Sequence, residues 1–526
     1  MKNDSKYLQE FIKTEYIKPL NIQKFTFSPI SKQIISRIYG LLLSAETAFT
    51  NIQPNNIRFI GHSRPRTGPP AADLESVVRG KDSIGMYDND ASESNESGKS
   101  YDYIPTEFRK TIQTTKMVHL HYILKIGKRS INTNIFIPEF FTSEASCNQR
   151  SWLPTGVTDS KSAADNISLK QRTYSQIKKT GDQMIYKMYI WLHIASQYAN
   201  KTCSKNMNVF LYMLDCKKQL PSVDRHVVDR VHTNTAFTTA CSLETDIYLF
   251  REEEWFKVFI HETFHNLGLD FSTMDQTDIE TRIRQIFPIP SLSNIRVYET
   301  YCETWAELMN IMFISHWSTK EQTDTNIIKK MESFIQVERT FSLFQCIKLL
   351  HHYDLTYNDI YASGLHKPAS NTALKRYKEN TQVFSYLVLK SILMFSLNDF
   401  LEWCMLHNKG TVEFSKTPLN ITQYYQLFEK LYIRPDLLKC IEDMTRLYNE
   451  SYNKNRIVIQ KTIKHGKKDV VEGRPSSKSE SFTRVTDSKS ATFDSRLRLP
   501  SYGLESVPPQ IKDFEYETLR FTAVEI

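Results

Sequence analysis

The stretch WFKVFIHETFHNLG, residues 255–268, restricts this chain more than any other. His261 and His265 are four residues apart, so on an α-helix they stack on one face, one turn apart. Two imidazoles so placed can reach one Zn²⁺ at about 2.0–2.1 Å. Glu262, next to the first histidine, projects beside that face. There a carboxylate can take the proton of a water activated by the metal as that water attacks a carbonyl. Composition alone predicts an H-[DE]-x-x-H match about 0.04 times in a chain with this His and acidic content. The local pattern is helical. Trp255, Val258, Phe259 and Phe264 form an apolar stripe, Glu252, Glu253 and Glu254 are expected in the first turn where the helix dipole favours negative charge, and Gly268 is a C-terminal stop.

The surroundings place this helix between two kinds of structure. Residues 1–60 read as an N-terminal helical region, with SKQIISRIYGLLLSAETAF at helical spacing. Residues 61–105 are rich in Pro, Gly, Ser and Asp and read as a flexible insert. From 106 to 270 the pattern is α/β. MVHLHYILKIGKRSINTNIFIPEF alternates about a Gly-Lys-Arg turn and predicts a hairpin. QIKKTGDQMIYKMYIWLHIASQY predicts an amphipathic helix, and MNVFLYMLD, NTAFTTAC and TDIYLF predict strands. Residues 271–460 are mainly helical, and 461–526 read as a basic, largely disordered tail. The expected fold class is therefore α+β, an α/β upper lobe with a mixed sheet followed by a helical lower lobe, with a cleft between them.

Composition excludes several function classes. The start, MKNDSKYLQEFIK, shows no apolar signal region, and the longest apolar runs are too short to span a bilayer, so no membrane role and a cytoplasmic location are expected. The eight cysteines form no CxxC pair, which predicts reduced core thiols rather than a disulfide framework or a cysteine zinc site. Of the formal net charge of +8, the stretch 451–500 contributes 12 Lys/Arg against 5 Asp/Glu. The body is thus no obvious nucleic-acid binder; only the basic tail offers a nucleic acid or acidic partner unspecific charge. Oligomeric state is not legible.

A catalytic zinc needs a third protein ligand and an open position. Asp270 is close in sequence, but the pattern H-E-x-x-H-x-x-G-x-x-H would need a histidine at 271, where Phe271 stands. Downstream, YETYCETWAELMN carries Glu299, Glu303 and Glu307 at intervals of four, on one helix face, with Tyr301, Trp305, Leu308 and Met312 on the other.

HETFH followed by ETWAE resembles the gluzincin metallopeptidases, in which HExxH is joined by a Glu from a later helix. The later motif in such families is E-x-x-A-D or E-x-x-x-D, its first carboxylate on zinc and its second orienting a motif histidine. The resemblance covers about residues 234–309. It implies a zincin-like fold, a peptide or protein substrate, Zn²⁺ held by His261, His265 and Glu303, Glu262 as base, and Glu307 as the partner of a histidine. Glu299 is the alternative ligand, and Glu307 stands where the family has Asp. NTAF at 234–237 resembles the N-A-F edge strand of these enzymes with one residue inserted. The family's oxyanion donor, a Tyr or His from the helical lobe, would be Tyr386 or His316. The run EEWFKVFIHETFH and the AT-rich-codon composition also resemble proteins of large DNA viruses, for which the location would be host cytoplasm or virion.

Two functions compete. One is a zinc metallopeptidase. The other is a catalytically idle zincin-fold structural or virion-associated protein with a basic tail, against which the intact Glu262 argues. His351 and His352 are adjacent and read as structural, and His119 and His121 share a strand face as packing residues.

Overall fold

β-Strands and a motif-bearing helix appear where the alternating and helical patterns place them. The computed structural model describes residues 2–51, 56–63, 103–141, 170–290, 293, 295–364, 366–471 and 514–525. Most of the 61–105 insert and residues 472–513 of the tail lie outside these.

The sheet has six strands: β1 (Ile57–Ser63), β2 (Met117–Ile126), β3 (Arg129–Pro138), β6 (Asn206–Tyr212), β7 (Ala236–Thr238) and β8 (Glu244–Leu249), with a separate two-stranded ribbon of β4 (Phe140–Phe141) and β5 (Lys170–Gln171). Its order is β1-β2-β3-β6-β8-β7; β3, β6 and β8 run parallel, and the other neighbours are antiparallel. The β2–β3 hairpin turns at Gly127, whose φ of 59° suits glycine. One sheet element was expected to be helical or loop: Ile57–Ser63 is a strand on β2. The preceding sequence is helical, so the change of period falls within a few residues.

The long helix Tyr174–Ala195 begins at a Thr173 capping box and packs on β2. Gly181 makes that approach possible, since a Cβ there would stand 2.4 Å from Leu120 Cδ1. Its Trp191 indole donates to Thr263 Oγ1 at 2.6 Å, tying it to the motif helix Trp255–Asn266. The motif helix packs against the carboxylate helix Val297–Ser318, which is buried along almost its whole length. Beyond it lie the helix Asp324–His352 and the bent segment Phe384–Phe395. No single described helix is long and apolar enough to cross a membrane.

Residues 1–445 and 518–526 form one compact unit, so the α/β and helical parts are not separate bodies; Arg446–Glu517 form a second unit. The tail expected to be disordered from 461 is helical to Val471, and residues 518–525 are buried. Their sequence, TLRFTAVE, has too short an apolar pattern to declare burial, but its charged residues find buried partners.

The cysteine expectation also fails. Cys203 and Cys241 are disulfide-bonded, and Cys216 is disulfide-bonded as well. Cys302, Cys346, Cys404 and Cys440 are free. The pairing joins residues 38 apart, a separation that matches no short motif. Cys241→Ser is expected to lower stability by about 2–4 kcal/mol by releasing this loop closure. Denaturant unfolding of both proteins checks it, and equal midpoints would refute it.

Candidate metal centre

The geometry begins at the end of the motif helix. Gly268, with φ of 67°, donates to His265 O at 3.1 Å, and Leu269 donates to Phe264 O at 2.8 Å, the two bonds of a Schellman stop. This turn brings Asp270 back under its own helix, where Oδ2 lies 2.5 Å from His265 Nδ1. Phe271 continues into an aromatic cluster with Phe414, Tyr298 and Tyr424. Asp270 is therefore a support for His265, and the failed register at 271 reflects a core aromatic.

The histidines face the carboxylate helix, which runs past them in the opposite sense. His261 Nε2 lies 3.0 Å from Glu299 Oε2, His265 Nε2 lies 3.4 Å from the same oxygen, and the two Nε2 atoms are 3.2 Å apart. A tetrahedral ion with bonds of about 2.0–2.1 Å needs ligand atoms about 3.3–3.4 Å apart. The triangle of two nitrogens and one carboxylate oxygen fits that requirement closely. His261, His265 and Glu299 thus form one of two groups among the described residues with the spacing to hold a metal ion, the other being His265, Asp270 and Cys302.

Glu303 was expected as the third ligand and is not at that position. Its Oε2 lies 3.1 Å from His261 Nδ1, an ion-pair contact whose alignment falls short of a hydrogen bond. Its Oε1 accepts from Lys257 Nζ, both side chains being buried. Glu307, expected to orient a histidine, instead pairs with Lys390 at 3.1 Å. The contacts expected of Glu303 and Glu307 are made one helical turn earlier, by Glu299 and Glu303. A ladder of glutamates every four residues looks the same after a shift of one turn, so periodicity cannot choose the level. Lys257 could have chosen it. It lies one turn before His261 on the same face, and a buried lysine there requires the carboxylate next to the ligand.

Charges are balanced tightly. Burial lowers His261, but Glu299 and Glu303 outweigh it and raise the imidazole to about 9. Burial likewise lowers His265, and the neighbouring Cys302, Glu299 and Asp270 raise it well above its ordinary value. Burial raises the Glu299 carboxyl, yet His265 and His261 hold it below the usual carboxylate range. A divalent cation between these groups would offset the surrounding carboxylates.

A cavity of about 400 Å³ opens onto this triangle. Glu262 lines it beside His261, and burial raises its carboxyl despite His261 and His265. Tyr386 also lines it, its ring 6.0 Å from that of His261. It sits on a π-helical stretch, Phe384–Leu389, a distortion frequent at functional sites. Tyr298, which the sequence reading passed over, lines the same cavity with its ring 5.8 Å from His265. Its position directly before Glu299 was the available signal. His316 is elsewhere, held by Tyr39 at 3.1 Å and Glu46 at 2.9 Å. His352 bonds His226 O, while His119 and His121 bond Asn134 and Asn132, all structural contacts. From the sheet side, Ala236, Phe237 and Thr238 of the edge strand β7 line the cavity.

Comparison with known proteins finds no matching family model, no matching curated protein and no matching solved structure.

Glu379 fixes the start of the π-helical stretch: its Oε2 accepts from Phe384 N–H and Tyr377 Oη, both at 2.8 Å. Burial pushes its carboxyl up to about 8 against the pull of Tyr377 and Phe384. A folded pKa above the unfolded one means the folded state keeps its proton longer. Stability contributed by this group is therefore present in acid and lost as pH rises from the ordinary carboxylate range to about 8. Glu379→Gln is expected to match the parent near pH 5 and to exceed it by about 1–3 kcal/mol near pH 9. Urea unfolding at the two pH values checks this; equal gaps at both would overturn it.

Proposed function

We propose that this chain is a zinc-dependent metallopeptidase of the gluzincin kind with a zincin-like fold, using His261, His265 and Glu299 as ligands and Glu262 as base. The carrying observation is the convergence of His261 Nε2, His265 Nε2 and Glu299 Oε2, all within 3.4 Å of one another, at the wall of a cavity shared with Glu262. Two nitrogens and a carboxylate oxygen suit zinc and leave a position open, as catalytic rather than structural sites do. The spacing Glu299-x-x-x-Glu303 matches the family's E-x-x-x-D as well as the pairing of Glu303 with Glu307 does.

A bound zinc ion would supply Lewis acidity toward a water and a carbonyl oxygen. The protein's own groups do the rest. Asp270 and Glu303 engage the outer Nδ1 atoms and hold both Nε2 atoms inward. The Glu262 carboxylate accepts a proton from the attacking water and returns it to the leaving amine. The phenols of Tyr386 and Tyr298 stay protonated, since burial raises both. Either can donate a hydrogen bond to the oxyanion forming on the substrate. The edge of β7 offers backbone groups to an extended peptide, which would add as a further strand. That edge supports a peptide or protein substrate.

Metal analysis should find one zinc per chain, and Glu299→Ala should abolish its retention. Glu303→Gln should weaken binding about 10–100-fold, as loss of a carboxylate behind a ligating histidine does. Protein purified without chelators yet free of zinc would sink the assignment. Glu262→Gln should keep the zinc and lower peptide cleavage by at least about 10²-fold. Cleavage at the parent rate would remove Glu262 from the role of base.

A further inference from the structure

Residues 518–525 lie in a buried groove beside the start of the motif helix, and none of them lines the cavity. The groove recognises their backbone. Glu254 Oε1 accepts from Phe521 N–H at 2.8 Å and Thr522 N–H at 2.6 Å, and Glu338 accepts from Ala523 N–H at 3.1 Å and Val524 N–H at 2.7 Å. Lys390 Nζ donates to Phe521 O at 2.7 Å, and Asn310 Nδ2 donates to Val524 O at 3.0 Å. This is how an extended peptide is held by a receptor, with main-chain groups satisfied in sequence.

The groups that grip the segment also support the candidate centre. Glu254 precedes the motif helix in a left-handed conformation, φ 59°, which costs energy for a residue with a side chain. Its N–H donates to Glu525 Oε1 at 3.0 Å, so the segment closes on it from two sides. Phe521 places its ring 4.9 Å from Lys257 Nζ and 5.4 Å from the Tyr386 ring. Lys257 holds Glu303, and Glu303 sits against His261. Lys390, which binds Phe521 O, also holds Glu307 one turn further along the carboxylate helix.

We propose that this groove is a peptide-recognition site occupied by residues 518–525 of the chain itself, and that its occupation sets the metal affinity of the His261–His265–Glu299 centre. The proposal rests on the metallopeptidase reading for the identity of the metal. Phe521 and Lys257 are positioning residues: docking the ring fixes Lys257, Lys257 fixes Glu303, and Glu303 fixes the His261 ring. Linkage makes the coupling reciprocal, so whatever displaces the segment loosens the metal.

The test uses the full chain with zinc alone as probe, its affinity read by competition with a chelating dye. Thr522→Pro removes one amide held by Glu254 and should weaken zinc at least tenfold. A synthetic peptide of residues 514–526 should restore the affinity in trans, and the same peptide carrying Thr522→Pro should not. Phe521→Leu keeps the backbone contacts and should weaken zinc three- to tenfold with circular dichroism unchanged. Parent affinity in Thr522→Pro, or a loss that the peptide does not rescue, overturns the coupling. If Thr522→Pro does not fold, Phe521→Leu decides, and parent affinity there overturns the proposal. An intact chain that binds no zinc defeats the metallopeptidase reading and the coupling together; an intact chain that binds zinc while the variants match it defeats the coupling alone.

Discussion

Lys257 and Glu303 are both withdrawn from water, each with a side chain almost wholly covered. Removing one partner of such a pair costs about 3–5 kcal/mol, because the other stays behind as an uncompensated charge. The two helices that carry them are therefore locked in one register. Slide them by a fraction of a turn, and Lys257 loses its carboxylate while the histidines lose Glu299. The pair fixes the level at which the imidazoles meet a ligand, and the apolar faces of the same helices only need to agree with it. Hydrophobic packing alone tolerates neighbouring registers more readily than a buried charge does.

The sequence carried the parts of this arrangement that depend on local period. Alternation placed β2, β3, β6 and β8, and the i, i+4 spacing placed the two histidines on one face. Gly268 declared its own turn. What it did not carry were relations between distant segments. Glu299, Glu303 and Glu307 are equivalent by period, and only the opposing Lys257 breaks the equivalence. Tyr386 lines the cavity, but its placement depends on a π-helical turn held by Glu379, which no spacing announces. Cys203 and Cys241 meet because β6 and β8 are neighbours in the sheet, a fact of topology.

The burial of 518–525 was least legible of all. A segment containing Arg520 and Glu525 reads as solvated, yet Arg520 bonds Glu525 at 2.7 Å and Lys2 bonds Glu525 at 2.7 Å. Burial of charge is acceptable only where partners are prepared, and these partners are scattered from Lys2 to Lys390. The body of the protein has concentrated buried acids and bases along one seam. One side of that seam is the candidate centre, and the other side receives the segment.

The meeting of Lys2 with Glu525 has a consequence for the order of events during folding. Backbone and side chain both join them, through Lys2 N–H to Glu525 O at 3.2 Å and the ion pair. At equilibrium so wide a separation is inexpensive, since loop-closure entropy grows only with the logarithm of length. In time it is demanding. During synthesis, the left-handed residue ahead of the motif helix has Lys218 but lacks its partners at 521, 522 and 525 until residue 525 has emerged. A nascent chain can form the sheet and the helical layers while its histidine-bearing helix stays incompletely anchored. Maturation of the site is thereby deferred until the segment 518–525 has been made and has docked.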